Sequence, residues 1–288
     1  MSRSMRVTTR NASFQQWQAL LTNRNKRQRA GEFLVQGVRP ITLAIEHGWT
    51  INALIHPDGP ALSAWARDML DRTEATHVAM APELLSELAD KEAPELLAVV
   101  ALPADRLDRI PVGPRLLAVV FDRPATPGNV GTLIRSADAF GASAVIITGH
   151  AADPYDPRSI RASTGSIFAM PVVRADSHRP VVDWVTGLRA HGCPVQIVGT
   201  DERGAADVAG YDLTGPRVIL IGNETNGLSA GWRQSCDGMV RIPITGAASS
   251  LNAASAATVV LYEAARQRSA LSLRRPRHSG DGRAAGPG

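Results

Sequence analysis

The stretch LLAVVFDRPATPGNVGTLIRSA, residues 116–137, changes character twice. Residues 116–121 are an unbroken apolar run, too short for a helix and of the composition expected of a strand buried on both faces. Two prolines and a glycine between Asp122 and Gly128 then mark a loop. From residue 131 to 140 apolar residues return at helical spacing, with Asn129 placed to cap the helix and Arg135 inside it. An arginine on an otherwise apolar helix is expected to meet a carboxylate or phosphate, because an unpaired buried cation is costly.

The same α/β rhythm continues outward. Short Val-, Ile- and Leu-rich runs at 144–148, 171–174, 195–199, 218–222 and 239–243 read as further parallel strands, with helical patterns at 181–191 and 251–267. On the N-terminal side, residues 103–114 hold three prolines and no long apolar run, and we place a linker at 106–114. Before it, strand patterns at 32–36, 51–56, 76–80 and 96–102 alternate with helical ones at 38–47, 61–72 and 82–88. Phe14, Trp17, Leu20 and Leu21 add a helix ahead of them. The expected organisation is an α/β unit at 1–105, a second at 115–270 with a doubly wound parallel sheet, and a disordered Arg/Gly/Pro-rich tail at 271–288.

Composition narrows the function classes. The chain has 288 residues and is 44% hydrophobic, which excludes wholesale disorder. No apolar run approaches the roughly 18 residues of a membrane helix, and residues 1–30 lack the apolar core of a signal peptide. Cys193 and Cys236 are too few for a disulfide scaffold or a four-thiolate zinc site. A cytoplasmic protein with no membrane contact and no metal is expected. The formal net charge is +4, unevenly spread: residues 1–30 carry seven basic side chains and no acid. A basic segment on a mildly acidic body suggests a polyanionic partner.

Three loops follow predicted strands of the second unit, where open parallel sheets gather their ligand sites. The first runs from Asp122 into the helix bearing Arg135. The second, Leu220 to Leu228, turns through Gly222, which permits close backbone approach, and Glu224, a carboxylate at the sheet mouth. The third, Ile242 to Ala256, crowds Ser249, Ser250 and Asn252 about a helix start near Leu251, where free backbone N–H groups can hold a polar ligand. No G-x-G-x-x-G, no phosphate loop, no H-E-x-x-H and no metal-spaced histidine pair is present.

In this order the loops resemble the motifs of the SpoU (TrmH-type) RNA ribose 2′-O-methyltransferases. Asn129, Gly131, Arg135, Ser136 and Ala137 match the first motif; Gly222, Glu224, Gly227 and Leu228 the second; Ile242, Pro243, Gly246, Ser250, Leu251 and Asn252 the third. Arg161, Ala162, Ser163, Gly165 and Phe168 form a further match. Ile244, Thr245 and Ala253 depart from the family's usual residues, at apolar or loop positions. Residues 25–37 resemble the start of the RNA-binding N-terminal domain that many members carry, an α/β/α sandwich similar to a ribosomal protein.

The resemblance implies more than periodicity does: a deep trefoil knot near the C-terminus, and a homodimer in which each site is completed across the interface. It implies S-adenosylmethionine as methyl donor, held near Thr200, Gly222, Ile242, Ser250 and Leu251. Catalysis would centre on Arg135, with Asn129, Glu224, Ser250 and Asn252 orienting it and the ribose. A guanidinium stays protonated in proteins, so Arg135 is expected to clamp phosphate and stabilise developing alkoxide charge. Lys26, Arg27, Arg29 and Arg161 are the expected RNA contacts. The two-domain layout favours 23S ribosomal RNA over transfer RNA and matches members that confer antibiotic self-resistance. A non-catalytic RNA-binding or ribosome-assembly protein is the alternative, and intact Arg135, Glu224, Ser250 and Asn252 argue against it.

Overall fold

The structure, a computed structural model, describes residues 3–59, 61–89 and 94–274. Its first half builds a five-stranded mixed sheet from β1 (Ser4–Val7), β2 (Glu32–Gln36), β3 (Ile51–Pro57), β4 (Thr76–Met80) and β5 (Leu97–Ala101), in the order β1-β4-β3-β5-β2. β1, β4 and β3 run parallel, and β5 is antiparallel to both β3 and β2. Helices α1 (Ala12–Thr22), α2 (Arg24–Ala30), α3 (Val38–Glu46), α4 (Ala64–Asp71) and α5 (Pro82–Leu88) connect them.

The second half is a parallel sheet of seven strands: β6 (Leu117–Asp122), β7 (Ala144–Thr148), β8 (Val172–Ala175), β9 (Gln196–Thr200), β10 (Ala206–Asp207), β11 (Arg217–Ile221) and β12 (Gly238–Arg241). Their order is β10-β12-β9-β11-β6-β7-β8, and every pair is parallel. β6, β7 and β11 are buried at every position, as their apolar runs require, with Asp122, Thr148 and Arg217 the buried polar residues at their ends. Helices α6 (Pro127–Ala139), α7 (Pro157–Ser163), α8 (Ser166–Ala169), α9 (Arg179–Ala190), α10 (Ala230–Ser235) and α11 (Ala253–Arg274) cover the sheet.

Several boundaries differ from the sequence reading for identifiable reasons. α6 begins at Pro127, whose fixed φ suits the first helical position, so Thr126 is its cap and Asn129 lies inside the helix. α11 starts two residues after Leu251 and runs to Arg274, so residues 271–274 of the expected disordered tail are helical; residues 275–288 lie outside the described residues. β1 was not legible: four residues with an arginine among them, it pairs only through its backbone with β4. The basic segment is therefore folded as β1, α1 and α2. Arg6 pairs with Asp58 and Arg10 with Glu87, which neutralises part of its charge.

The two sheets share one apolar core. Phe33 of β2 meets Tyr155 at 4.9 Å between ring centroids, Trp49 meets Phe168 edge-on at 5.0 Å, and the Trp49 indole donates to the Phe168 carbonyl at 3.0 Å. The linker stretch packs on the second sheet, with Ile110 buried in a separate apolar cluster of that half and Arg109 donating to the Val172 carbonyl.

Close packing also explains a motif glycine. A Cβ on Gly131 of α6 would meet the Ser159 carbonyl at 2.3 Å and Ala162 Cβ at 2.6 Å on α7. Gly128, one turn earlier, faces open space. Gly131→Ala should destabilise the fold by about 1–3 kcal/mol through overpacking, while Gly128→Ala should be neutral or stabilise by up to about 1 kcal/mol. Urea unfolding of both variants checks the pair; equal midpoints would refute the packing role.

Candidate active site

Because the seven strands are parallel, the carboxyl ends of β6, β9, β11 and β12 open on one edge, and the three motif loops meet there. The second and third loops, with the end of β9, enclose a cavity of about 340 Å³. Thr200, Gly222, Ile242, Ser250 and Leu251, the five expected cofactor residues, all line it, together with Glu224.

The second loop is shaped by its backbone. A Cβ on Gly222 would meet Gly227 C at 2.5 Å and Leu228 N at 2.6 Å, so the chain folds back on itself only because position 222 carries no side chain. Asn223 Oδ1 accepts from Thr225 N at 2.9 Å and Asn226 N at 3.0 Å, and Gly227 takes φ +61°. The first loop grips this turn. Arg123, at φ +52°, donates from Nη2 to the Gly227 carbonyl at 3.1 Å, and its own carbonyl accepts from Asn223 Nδ2 at 2.7 Å. Asp122, buried at the end of β6, accepts from Ser229 N at 2.8 Å and Thr148 Oγ1 at 3.2 Å. Arg123 and Asp122 were missed in the sequence because neither falls at a motif position.

Glu224 then ties the turn to α6. Its carboxylate accepts from Ala125 N at 3.1 Å and Asn129 Nδ2 at 2.8 Å, next to the N-terminus of α6, where a negative charge is favoured. Asn129 Oδ1 in turn accepts from Asn252 Nδ2 at 3.2 Å, and Asn252 Oδ1 caps α11 by accepting from Ala254 N at 3.0 Å and Ser255 N at 3.3 Å. Glu224, Asn129 and Asn252 thus join all three loops in one hydrogen-bonded row. Partial burial works against ionisation of Glu224, but the bonds from Asn129 and from backbone N–H groups outweigh it and hold the carboxyl below its ordinary value.

The other expected residues are placed differently. Arg135 is exposed on α6 with no ion pair or hydrogen bond among the described residues, so of the two partners expected from the sequence no carboxylate meets it there, and its charge faces solvent. It does not line the cavity, and it stands six residues, roughly 9 Å of helix, beyond Asn129. Ser250 is exposed in the third loop, before the start of α11. Thr200 spends its hydroxyl on the Leu220 carbonyl at 2.8 Å, leaving its backbone to the cavity. Asp201, which no motif marked, sits at the cavity wall with its carboxylate 2.6 Å from Arg233 Nη2.

Of the expected RNA contacts, Lys26 and Arg29 are exposed on α2, and Arg161 is exposed on α7. Arg27 is a correction: it is 2% exposed and paired with Asp153, so it has no free donor face for phosphate. Its side chain was read with its basic neighbours because local charge density does not reveal which residue of a short helix turns inward. Among the described residues no cluster of three His, Cys, Asp or Glu side chains is arranged for a metal, and no helix is long and apolar enough to cross a membrane.

A group whose folded pKa is lowered adds stability that is complete above its unfolded value and is lost as pH falls through the folded one. For Glu224 that loss begins near the ordinary value of 4.5 and continues below it. Thermal midpoints of wild type and Glu224→Gln measured from pH 6 to pH 3 should converge as pH falls. Parallel curves would exclude Glu224 as the contributing group.

Two family models match the chain: the SpoU L30e-like domain over residues 11–98, and the SpoU rRNA Methylase family over residues 116–262. The 23S rRNA (uridine(2479)-2′-O)-methyltransferase of Streptomyces viridochromogenes is 59% identical over 265 residues, covering 91% of this chain and 92% of that protein. The crystal structure of the SpoU methyltransferase AviRb from the same organism, in complex with the cofactor AdoMet, superposes with a TM-score of 0.87 over 90% of this chain and 98% of that one. An AdoMet-bound rRNA methyltransferase from Sinorhizobium meliloti, 29% identical, gives 0.81 over 91% of this chain and 98% of that one. Motif loops gathered at one sheet edge, both halves matched in order, and identity along nine-tenths of the chain agree: the protein belongs to the SpoU rRNA methylase family.

Proposed function

We propose that the protein transfers the methyl group of S-adenosylmethionine to a ribose 2′-hydroxyl of 23S ribosomal RNA, with the position corresponding to the Streptomyces relative's uridine 2479 as the first candidate. The observation that carries this is the cavity at the ends of β9, β11 and β12, in which all five cofactor positions meet. Its volume falls in the range of small-molecule sites. Ile242 and Leu251 offer an apolar slot suited to adenine, and the cradle at Gly222 leaves backbone groups free to face a ligand. The donor supplies an already activated methyl, so the protein's task is alignment of the hydroxyl with it.

In this reading the row of Glu224, Asn129 and Asn252 sets the loops that hold donor and ribose, with Ser250 beside them. Arg135 clamps a phosphate and stabilises the negative charge that develops on the 2′-oxygen. Its distance from its own cavity fits a homodimer. Val259 and Tyr262 of α11 are exposed large apolar side chains, and Tyr262 packs edge-on against Phe140 at the end of the helix that carries Arg135. A second copy covering this face brings Arg135 to the partner's site. The trefoil knot belongs to the same proposal: β12 returns to lie between β9 and β10, and α11 then packs on α6. Residues 1–105 recognise RNA, with Lys26 and Arg29 on phosphate joined by Arg161 of the second half, and residues 115–270 carry out transfer, in the cytoplasm where ribosomes are made. Protection of ribosomes from an antibiotic is the biological role that this layout suggests.

Arg135→Ala should lower methyl transfer to ribosomal RNA by about 10²–10³-fold while S-adenosylmethionine affinity by calorimetry stays within about twofold; near-normal turnover refutes the assignment. A wild-type protein that takes up no S-adenosylmethionine would favour the non-catalytic RNA-binding alternative. Lys26→Ala and Arg29→Ala should each reduce the slope of log affinity against log salt by about 1, as measured by filter binding. An unchanged slope removes those residues from the RNA surface.

A further inference from the structure

Arg27 lies on α2 between the exposed Lys26 and Arg29, yet it points into the molecule. Its Nε donates to Asp153 Oδ2 at 2.8 Å, its Nη2 lies 2.8 Å from the same oxygen and 3.9 Å from Asp156 Oδ2, and its Nη1 donates to the Leu20 carbonyl at 2.6 Å. One guanidinium therefore grips the first half through Leu20 and the second through Asp153. Asp153 is 6% exposed and also accepts from Tyr155 N at 3.1 Å. Arg174 of β8 stands 4.0 Å away and pairs at 2.7 Å with Asp105, at the start of the stretch that links the sheets. Arg27, Asp153, Arg174 and Asp105 thus form a row of alternating charge drawn from α2, the β7–α7 loop, the edge strand and the connector.

The apolar core shared by the sheets stops at a cleft beside Asp156, the more distant partner of Arg27. This cleft of about 970 Å³ opens between β2 and α7, with Leu34, Val35 and Leu97 on one side and Ile160, Arg158 and Arg161 on the other. Apolar contacts are non-directional, so the shared core constrains the angle between the sheets less sharply than the directed bonds across it, those of Trp49 to the Phe168 carbonyl and of Arg27 to Asp153. A buried ion pair has the opposite character. It adds little stability compared with well-packed apolar residues, but it sets register through direction. The fork of Arg27 supplies that direction at the residue whose neighbours face RNA.

We infer that Arg27 and Asp153 are positioning residues that fix the RNA-facing surface of α2 relative to the cavity at the sheet edge, and so select the nucleotide whose ribose is methylated. The inference rests on the proposed 2′-O-methylation of RNA. Displacement of a bound substrate by about 1 Å costs on the order of 10²-fold in rate, so a small rotation between the halves both slows transfer at the chosen ribose and exposes its neighbours to methylation.

The test uses full-length protein and protein-free 23S ribosomal RNA. Methylated positions are mapped, kcat is measured with RNA saturating, S-adenosylmethionine affinity is read by calorimetry, and the thermal midpoint is recorded. Arg27→Met combined with Asp153→Leu replaces the pair with apolar residues of similar volume, the kind of exchange that buried ion pairs tolerate. It should leave the thermal midpoint unchanged, keep the cofactor affinity within about twofold, lower kcat by about 10²-fold, and add methyl groups at neighbouring nucleotides. A folded double variant that methylates the same single nucleotide at the wild-type rate overturns the inference. If the double variant does not fold, Arg27→Lys decides, because it keeps the charge and loses the two-point fork. Stray methylation by that variant supports the role, and unchanged selectivity overturns it. Wild-type protein that transfers no methyl to RNA refutes the functional reading itself, a distinct result.

Discussion

A carboxylate that accepts from a backbone N–H of one loop and an amide of the next helix constrains both at once. Glu224 does this with Ala125 and Asn129, and Asn129 passes the constraint to Asn252 at the head of α11. Without that row, Arg123 and Asp122 would still tie the loops after β6 and β11 to each other, but the head of α11 would lose its link to α6 through Asn252 and Asn129. With it, the cavity walls have fixed separations before any ligand arrives, which is what a reaction governed by alignment requires. Arg123 reinforces the same point from below by bonding to the turn at Asn223 and at Gly227 while held in a left-handed conformation. Backbone strain of this kind persists where surrounding contacts over-determine it.

The two halves divide the work that a polyanionic substrate imposes. In the proposed function, exposed cations on the first half such as Lys26 and Arg29 would serve affinity, which is electrostatic and salt-dependent. Glycine-shaped loops on the second serve geometry. The buried Arg27 belongs to neither group: its charge is withdrawn from the surface and goes to the ion pair with Asp153 that joins the two halves.

Much of this was legible in the sequence, and the residues show why. Fully buried parallel strands such as β6 and β11 announce themselves as unbroken apolar runs, and Gly222, Glu224 and Asn252 sit at fixed offsets after such runs. What failed to show depends on contacts distant in sequence. Asn129 read as a cap because amide side chains favour that position, whereas Pro127 starts the helix and Asn129 is recruited by Glu224, 95 residues away. Arg27 and Asp153 are 126 residues apart, and nothing local distinguishes a cation destined for burial from its solvated neighbours. The chain crossing implied by family resemblance has no periodic signature at all, since hydropathy records burial and not threading.

β1 has a practical consequence. It covers one edge of β4, pairing Ser4 through Val7 with His77 through Met80, in front of a strand whose Val78 and Met80 are fully buried. An expression variant trimmed to the first helix would leave the β4 ladder groups open along an apolar strand, the arrangement through which sheets recruit strands from other molecules. The opening residues thus act as a guard against self-association as well as a carrier of charge, and solubility tags are better attached ahead of them than in their place.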